Sequence, residues 1–310
     1  MNTYCLGKKT RFGCLGAACP DSCCVGWDVV IDDNTAMKYR ELSSALGDCV
    51  RSRMTVDEDG DTVFSLSDGR CPFLRKDGLC EIWKQAGEDT LSVTCRRFPR
   101  IEQEYADFTE CCLSLACPEG ARRMLADGRL RVPRTQTDDP LLRALLVLRG
   151  KLIRTVRCAD RPFGENLCRC MSLALDWDDL PPGECVPEAA KAQFRFYGTL
   201  DLMTERFRAL CARPLARPHI DRRTAENAAV YYLYRYLLQA VTDLDVALRV
   251  QMMLAAVTFL AYADADPLES ARLFAKEIEH SYENMERLSG VLTEDPAFSP
   301  ASLCALWREE

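Results

Sequence analysis

The chain has 310 residues, of which 48% are hydrophobic and 28% are charged. So apolar a composition can offset the entropy lost on folding, which excludes a disordered protein. The net charge of -7 argues against a nucleic-acid-binding protein, because such proteins usually present a basic face. The longest apolar run, residues 252–263, is shorter than the roughly 20 residues that a membrane span needs. Residues 1–13 lack the apolar core of a secretory signal, so we expect a cytoplasmic protein.

Cysteine is the most informative residue type in this sequence, with 18 copies. In the absence of a secretory signal, metal binding explains so many cysteines better than a disulfide framework does. The chain has only two histidines, His219 and His280, so a metal site must be built almost wholly from thiolates. Such ligation favours an iron–sulfur cluster or structural zinc. The cysteines of the first 117 residues are Cys5, Cys14, Cys19, Cys23, Cys24, Cys49, Cys71, Cys80, Cys95, Cys111, Cys112 and Cys117.

The N-terminal third is irregular, and a hairpin is its clearest predicted element. Strands at 54–56 and 62–66 flank the turn signal Asp59-Gly60. A short strand or a turn of helix is expected at 27–31. Because no other stretch has a clean period, we expect residues 1–125 to form a Cys-rich module that folds around its metal or its cysteines.

From residue 138 onwards the pattern predicts one helix after another, forming a domain over 138–310. Asp139 and Pro140 begin the first of these helices, over 141–156. The fourth is apolar nearly all round, which predicts a buried helix. The fifth begins at Asp266 and Pro267 and keeps an apolar stripe that includes Tyr282. The predicted second to fifth helices cover 187–210, about 222–240, 245–262 and 267–288. The predicted fold is therefore mainly α, with an irregular Cys-rich metal-binding N-terminal module, carrying a short β-hairpin, packed on a helical C-terminal domain.

The N-terminal cysteines fall into three clusters without a CxxC pair, so the familiar zinc-finger spacings are absent. For these clusters, metal ligation is favoured over plain packing. The clusters are Cys14-x4-Cys19-x3-Cys23-Cys24, Cys71-x8-Cys80 with Cys95, and Cys111-Cys112-x4-Cys117. Isolated cysteines are more often small buried hydrophobic residues. That applies to Cys49, Cys158, Cys185, Cys211 and Cys304, whereas Cys168 and Cys170 stay open.

The sequence around these cysteines resembles the flagellin lysine-N-methylase family. The resemblance extends over most of the chain, from about residue 12 to residue 288, and the cysteine blocks are its specific part. The segments that carry it are Phe12-Gly13-Cys14-Leu15-Gly16, Cys19-Pro20-Asp21-Ser22-Cys23-Cys24-Val25-Gly26-Trp27, Cys71-Pro72-Phe73-Leu74, Thr94-Cys95-Arg96-Arg97-Phe98-Pro99-Arg100, Cys117-Pro118-Glu119, Glu226-Asn227 and Ile278-Glu279-His280-Ser281.

The resemblance implies methyl transfer from S-adenosylmethionine to lysine side chains of a protein, flagellin or a similar surface protein. It also implies a [4Fe–4S] cluster held by N-terminal cysteines. The candidate ligands are Cys19, Cys23, Cys24, Cys71, Cys80, Cys95 and Cys117. No glycine-rich loop joins a strand to a helix, which argues against a doubly wound methyltransferase fold. The alternative function is a non-enzymatic iron–sulfur or zinc chelating protein in metal handling or redox sensing.

Methyl transfer to lysine requires the loss of a proton from an amine whose ordinary pKa is about 10.4. We therefore expect a base or a desolvating aromatic pocket near the substrate. The catalytic candidates are Tyr231, Tyr234, Glu226 and His280, and the candidates for cofactor contacts are Asn227, Arg100 and Glu119. Tyr232 and Tyr236 lie on the apolar stripe of their helix and are expected in the core. A structural role for His280, and surface ion pairs for Arg100 and Glu119, stay open as alternatives.

Overall fold

Helices make up most of the computed structural model, which describes residues 1–7, 12–57, 60–176 and 188–308. The α-helices, α1 to α14 in chain order, are Asp33–Glu41, Ala45–Ser52, Glu81–Ala86, Val93–Arg97, Pro118–Ala121, Pro140–Val156, Phe163–Leu175, Ala189–Tyr197, Glu205–Ala212, Arg222–Tyr236, Val246–Tyr262, Pro267–Phe274, Tyr282–Glu294 and Pro300–Ala305. The strands, β1 to β5, are Asn2–Cys5, Met54–Val56, Thr62–Phe64, Arg100–Glu104 and Phe108–Leu113. The prediction of a mainly helical protein is confirmed.

The described chain divides into two compact units. The Cys-rich unit consists of the described residues of Arg11–Ile101 together with Cys117–Glu119. The helical unit consists of those of Met1–Thr10, Glu102–Ala116 and Gly120–Glu310. The start of the chain thus belongs to the helical unit rather than to the residues that follow it.

A parallel strand pair ties the start of the chain to the helical unit. β1 lies beside β5, with Asn2 opposite Phe108 and Cys5 opposite Cys111. Cys5 and Cys111, which are opposite each other in this strand pair, form a disulfide. The sequence favoured metal binding for the N-terminal cysteines as a set, so these two depart from that prediction. The other cysteines of the described residues are free thiols, and Cys49 is exposed rather than buried as expected.

The Cys-rich unit has a small apolar core beneath its hairpin. β2 pairs with β3 antiparallel as predicted, with Met54 opposite Phe64, whereas Asp59 of the predicted turn lies outside the described residues. The segment expected at 27–31 contributes only an isolated bridge from Val30. The core residues are Ile31, Ala36, Tyr39, Val50, Phe64, Phe73 and Ile82.

Two buried helices form the centre of the helical unit. In α11 every residue from Val250 to Tyr262 is buried, which confirms the predicted central helix. In α10 burial is continuous from Thr224 to Tyr234. The Asp139 carboxylate caps α6 by accepting from the Leu142 N–H at 2.8 Å, as the Asp-Pro pair predicted. None of the helices in the described ranges is both long and apolar enough to cross a membrane.

Two helices that were predicted as continuous are broken, and hydroxyl caps mark where each resumes. The second predicted helix, over 187–210, contains α8 and α9. The Thr204 hydroxyl caps α9 by accepting from the Phe207 N–H at 3.3 Å. Pro187, the predicted first residue, lies outside the described ranges. The fifth predicted helix contains α12, a π-helical segment over Ala275–Glu279 and then α13. Ser281 begins α13 by accepting from the Asn284 N–H at 3.2 Å.

The break at Ser281 changes the environment of the residues that follow it. Tyr282 was expected on the buried stripe, but it is 85% exposed. The cap and the side chain of Asn284, which donates to the Glu277 carbonyl at 2.8 Å, redirect the chain there. A further helix, α7, was not predicted; it buries both Cys168 and Cys170.

Candidate functional site

Short main-chain contacts bring the cysteine blocks of the Cys-rich unit together. The Cys71 N–H donates to the Cys24 carbonyl at 2.8 Å, which sets the first block beside the second. Cys80 forms a bridge with Leu74, three residues after Cys71. Ser92 caps α4 by accepting from the Cys95 N–H at 3.2 Å. The chain between the cysteines thus orients them through its own backbone.

These contacts gather a thiol cluster, here defined as Cys14, Cys23, Cys24, Cys71, Cys80 and Cys95. The Cys24 sulfur hydrogen-bonds with the thiols of Cys23 and Cys71. Cys95 is close enough to interact electrostatically with Cys23, Cys24 and Cys80, and Cys14 interacts with Cys23 in the same way. Cys71 and Cys80 also pack against the apolar core of the unit.

Hydrogen bonding and burial divide the thiols into two kinds. The thiols of Cys23 and Cys71 donate to Cys24, which lowers the pKa of Cys24 and raises those of its two donors. Burial raises the pKa of Cys95 to about 11 and also raises the pKa of Cys80. Cys24 is therefore the cluster thiol that ionises most readily.

The surroundings of the thiol cluster fit a metal–sulfur group in their donor chemistry. Tyr39 is 1% exposed and belongs to the core on which Cys71 and Cys80 pack. Its hydroxyl has no hydrogen-bond partner among the residues that the structure describes, although a buried unpaired hydroxyl is costly. Across those residues no group of three or more His, Cys, Asp or Glu side chains is arranged to hold a metal ion. Metal ligation thus stays a prediction. It is supported by a set of possible ligands that are all thiols and by the nearby Tyr39 hydroxyl, which has no hydrogen-bond partner.

The remaining predicted ligands and cofactor contacts belong to the same unit. Cys19 is half-buried and Cys117 is buried. Glu119 is 8% exposed, beside Cys117 in the sequence. The Arg100 guanidinium lies over the Phe12 ring, 5.5 Å from its centroid. Their roles as ligands or cofactor contacts stay predictions.

A second group of polar side chains lies in the helical unit, where α10 meets the end of the π-helical segment. We call Arg235, Tyr236, Glu279 and His280 the charged cluster. The Tyr236 hydroxyl donates to Glu279 Oε2 at 2.6 Å, and the Tyr232 hydroxyl donates to Oε1 at 3.4 Å. His280 Nε2 lies 2.8 Å from the Ser114 hydroxyl oxygen. π-Helical segments occur frequently at functional sites, which directs attention to these residues.

The charged cluster is surrounded by protein and yet reaches solvent. Burial raises the pKa of Glu279, and burial with the positive charge of Arg235 lowers the pKa of His280 to about 4. His280 is therefore neutral at pH 7. Its side chain is nonetheless exposed, and Glu279 and Arg235 are half-buried. The charged cluster is thus largely enclosed by protein, while part of it contacts solvent.

The two tyrosines proposed as catalytic residues are packed inside the helical unit. Tyr231 and Tyr234 are at most 1% exposed, so the expectation that they lie off the buried face of the helix is wrong. The reason is that neighbouring elements cover α10 on all sides, and Tyr232 and Tyr236 are buried there as predicted. The Tyr231 hydroxyl lies against the Cys112 thiol. A catalytic role for either residue stays a prediction.

Tyr234 and the two polar candidates at the start of α10 hold the fold through their contacts. The Tyr234 hydroxyl donates to the Tyr4 carbonyl at 2.8 Å. Glu226 pairs with Arg222 at 2.9 Å. The Asn227 amide donates to two main-chain carbonyls and accepts one main-chain N–H, at 2.7 to 2.9 Å. All three side chains thus have structural partners, and their functional roles stay predictions.

Comparison with known proteins supports the resemblance carried by the cysteine blocks. The flagellar biosynthetic protein FliU of Salmonella muenchen is 36% identical to this chain over 124 residues, which cover 38% of the chain and 73% of FliU. The chain belongs to the flagellin lysine-N-methylase family. Within this family, proteins named lysine-N-methylase from Salmonella typhimurium and Salmonella choleraesuis are likewise 36% identical over 124 residues. The match covers 31% of the length of each of these two methylases. No family model and no solved structure matches the chain.

Three residues of this family member were missing from the candidates drawn from its sequence. Cys14 opens the first cysteine block and lies near Cys23 in the thiol cluster. Arg235 and Glu279 carry the opposite charges of the charged cluster. A sequence signal existed for Arg235, which is the one charged residue in the apolar stretch 231–238, and Glu279 stood in a segment that carries the family resemblance.

Proposed function

We propose that this chain transfers methyl groups from S-adenosylmethionine to lysine side chains of flagellin. Membership of the flagellin lysine-N-methylase family is the observation that carries the proposal. Two relatives are named lysine-N-methylase, and a third is named as a flagellar biosynthetic protein. Those names support the reaction class and a flagellar substrate.

The reaction is an in-line displacement. The neutral lysine nitrogen attacks the sulfonium methyl carbon, a nitrogen–carbon bond forms, and the sulfur–carbon bond breaks to release S-adenosylhomocysteine. One proton leaves the lysine for each methyl group transferred. A neighbouring cation or a desolvating pocket favours the neutral amine. His280, neutral at pH 7, adds no positive charge to the charged cluster.

The thiol cluster is proposed to hold a [4Fe–4S] cluster. Four of its thiols would bind iron, and Cys19 and Cys117 are the further candidate ligands. Such a group supplies a redox-active centre and fixes the loops that carry its ligands. The gathering of six thiols beside the unpaired Tyr39 hydroxyl supports this assignment.

Anaerobic purification followed by iron, sulfide and zinc analysis tests the metal assignment. We expect matched iron and sulfide and a brown protein. Cys71→Ser and Cys95→Ser should lower the iron content, whereas Cys49→Ser is the matched control because Cys49 is exposed and outside the thiol cluster. A zinc-containing or metal-free protein would contradict the assignment.

Methyl transfer is tested with the intact purified protein, flagellin and S-adenosylmethionine. Mass spectrometry of digested flagellin should show lysine peptides heavier by whole methyl groups, and S-adenosylhomocysteine should inhibit the reaction. Flagellin with chemically blocked lysines is the control substrate and should gain no methyl groups. Absence of transfer by a protein with its full iron content would favour the chelating alternative.

A further inference from the structure

Arg235 is a half-buried cation without a polar partner in the helical unit. Its Nε has no hydrogen-bond partner, and none of the ion pairs within the described ranges includes Arg235. Its guanidinium lies over the Tyr236 ring at 5.0 Å, a cation–π contact that uses none of its N–H groups as a hydrogen-bond donor to an oxygen. The Nε of Arg249 likewise has no hydrogen-bond partner, but Arg249 forms an ion pair with Asp243. A half-buried guanidinium without an anion is costly unless a ligand supplies one.

Glu279 provides a negative charge near that unpaired cation. The two tyrosine hydroxyls on its oxygens stabilise the carboxylate and oppose the rise in its pKa that burial causes, and the residue is half-buried. Arg235 and Glu279 interact electrostatically without forming an ion pair with each other. The charged cluster therefore presents a positive and a negative group that are both partly exposed to a ligand.

The chemistry of this pair selects the ligand. A phosphate would be repelled by Glu279, and a lysine side chain would leave Arg235 unpaired. An α-amino acid group carries a carboxylate and an ammonium on one carbon and satisfies both residues. A guanidinium fork matches a carboxylate with two parallel hydrogen bonds.

We propose that the charged cluster binds the α-amino acid group of the methyl donor, with Arg235 on its carboxylate and Glu279 on its ammonium. This inference rests on the proposed function, because it assigns the binding site of the donor in that reaction. It adds two binding residues, Arg235 and Glu279, to the candidates drawn from the sequence. The neutral His280 belongs to the same cluster and contacts Ser114.

Calorimetric titration of the intact protein with two nucleosides tests the site without measuring methyl transfer. S-adenosylhomocysteine carries the amino acid group, whereas 5′-methylthioadenosine lacks it. Arg235→Gln and Glu279→Gln should each weaken S-adenosylhomocysteine binding about 10- to 100-fold, the range for losing a charge-assisted contact, and should leave methylthioadenosine affinity unchanged. Arg249→Gln is the matched control and should change neither affinity.

The possible results separate this inference from the proposed function. Unchanged S-adenosylhomocysteine affinity in both variants would overturn the inference while leaving the methylase proposal intact. An equal loss of both nucleosides in folded variants would also overturn it, because the effect would then not be confined to the amino acid group. A wild-type protein with full iron content that binds neither nucleoside would overturn the proposed function itself. If Arg235→Gln does not fold, Glu279→Gln and Arg235→Lys, which keeps the charge but loses the fork, give the same readout.

Discussion

Two arginine–glutamate pairs in the helical unit have the same chemistry and opposite environments. Arg149 and Glu110 form two parallel hydrogen bonds at 2.6 and 2.7 Å, and their side chains are 3% and 1% exposed. The Thr135 hydroxyl donates to Glu110, and the Tyr234 ring lies 4.6 Å from the Arg149 guanidinium. Arg235 and Glu279 both belong to the charged cluster but do not form an ion pair with each other.

We call Arg149 and Glu110 the closed pair, and Arg235 and Glu279 the open pair. The closed pair has a structural role, whereas the open pair is available to a ligand. In the closed pair the fork and the carboxylate satisfy one another, so neither can bind a further group. In the open pair the carboxylate is held by tyrosine hydroxyls while the guanidinium keeps its donors. A half-buried guanidinium without an anionic partner lowers the stability of the fold, and such a cost is typical of residues kept for binding. The predictions below test that division.

Breaking the closed pair should have the largest effect on stability. Glu110→Gln leaves Arg149 charged and buried, and we expect the free energy of unfolding to fall by about 3–5 kcal/mol. Urea unfolding of wild type and variant measures this loss. The double variant Glu110→Met with Arg149→Met, which removes both charges, should recover much of it. A loss below about 1 kcal/mol would mean that the pair is not the structural element described here.

Removal of the Asn227 side chain should cost somewhat less. Asn227→Ala leaves three buried main-chain groups without their partner, and we expect a loss of about 2–3 kcal/mol. Glu226→Gln on the neighbouring residue is the control, because its partner Arg222 is 41% exposed and the expected loss is below about 1 kcal/mol. If urea unfolding shows equal losses of unfolding free energy in Asn227→Ala and Glu226→Gln, the Asn227 hydrogen bonds do not stabilise the start of α10 as described.

The open pair should have a smaller effect in the same stability measurement. Arg235→Gln breaks no ion pair, so the free energy of unfolding should stay within about 0.5 kcal/mol of wild type. Glu279→Gln weakens the hydrogen bonds from Tyr232 and Tyr236 and should cost about 1–2 kcal/mol. This expectation concerns stability alone and complements the nucleoside titration. If Arg235→Gln destabilises the protein as strongly as Glu110→Gln, the comparison between the two pairs fails.

A separate expected effect, confined to acid conditions, is a dependence of stability on pH through His280. Its pKa is about 4 in the folded protein, below the ordinary value of 6.5. As the pH falls through 6.5 the unfolded chain takes up a proton that folded His280 does not, so folding loses stability down to about pH 4. His280→Asn should remove this part of the acid sensitivity in thermal unfolding across that range. An identical pH profile in the variant would contradict the lowered pKa.

Local signals in the sequence predicted the parts of the fold that depend on neighbouring residues. Asp139-Pro140 and Asp266-Pro267 each begin a helix where the pattern placed it. The hairpin followed from its alternating strands, and the burial of α11 followed from its composition. In each case the determining contacts lie within the segment itself, so the sequence alone was sufficient.

The misses came from contacts between distant segments. The helix break at Ser281 depends on Asn284, whose side chain also donates to the Asp201 carbonyl at 2.7 Å. The burial of Tyr231 and Tyr234 depends on elements that cover α10 from both sides. The open pair arises only where α10 meets the π-helical segment, a meeting that neither stretch predicts by itself. The cysteine blocks identified the family because their spacing is a local property.

The parallel pairing of β1 with β5 has a topological consequence. Parallel strands cannot be joined by a tight turn and need a long crossover connection. Here the crossover from β1 to β5 contains most of the Cys-rich unit and also β4, and it joins strands whose Cys5 and Cys111 Cα atoms are 4.5 Å apart. Most of the Cys-rich unit is therefore inserted in the sequence of the helical unit, between Thr10 and Glu102. The entropy cost of closing a loop changes slowly with its length. A connection of another length between β1 and β5 would therefore change the free energy of folding of the helical unit only slightly through this term. Replacing the insertion with a flexible linker is thus the natural route to a minimal helical unit.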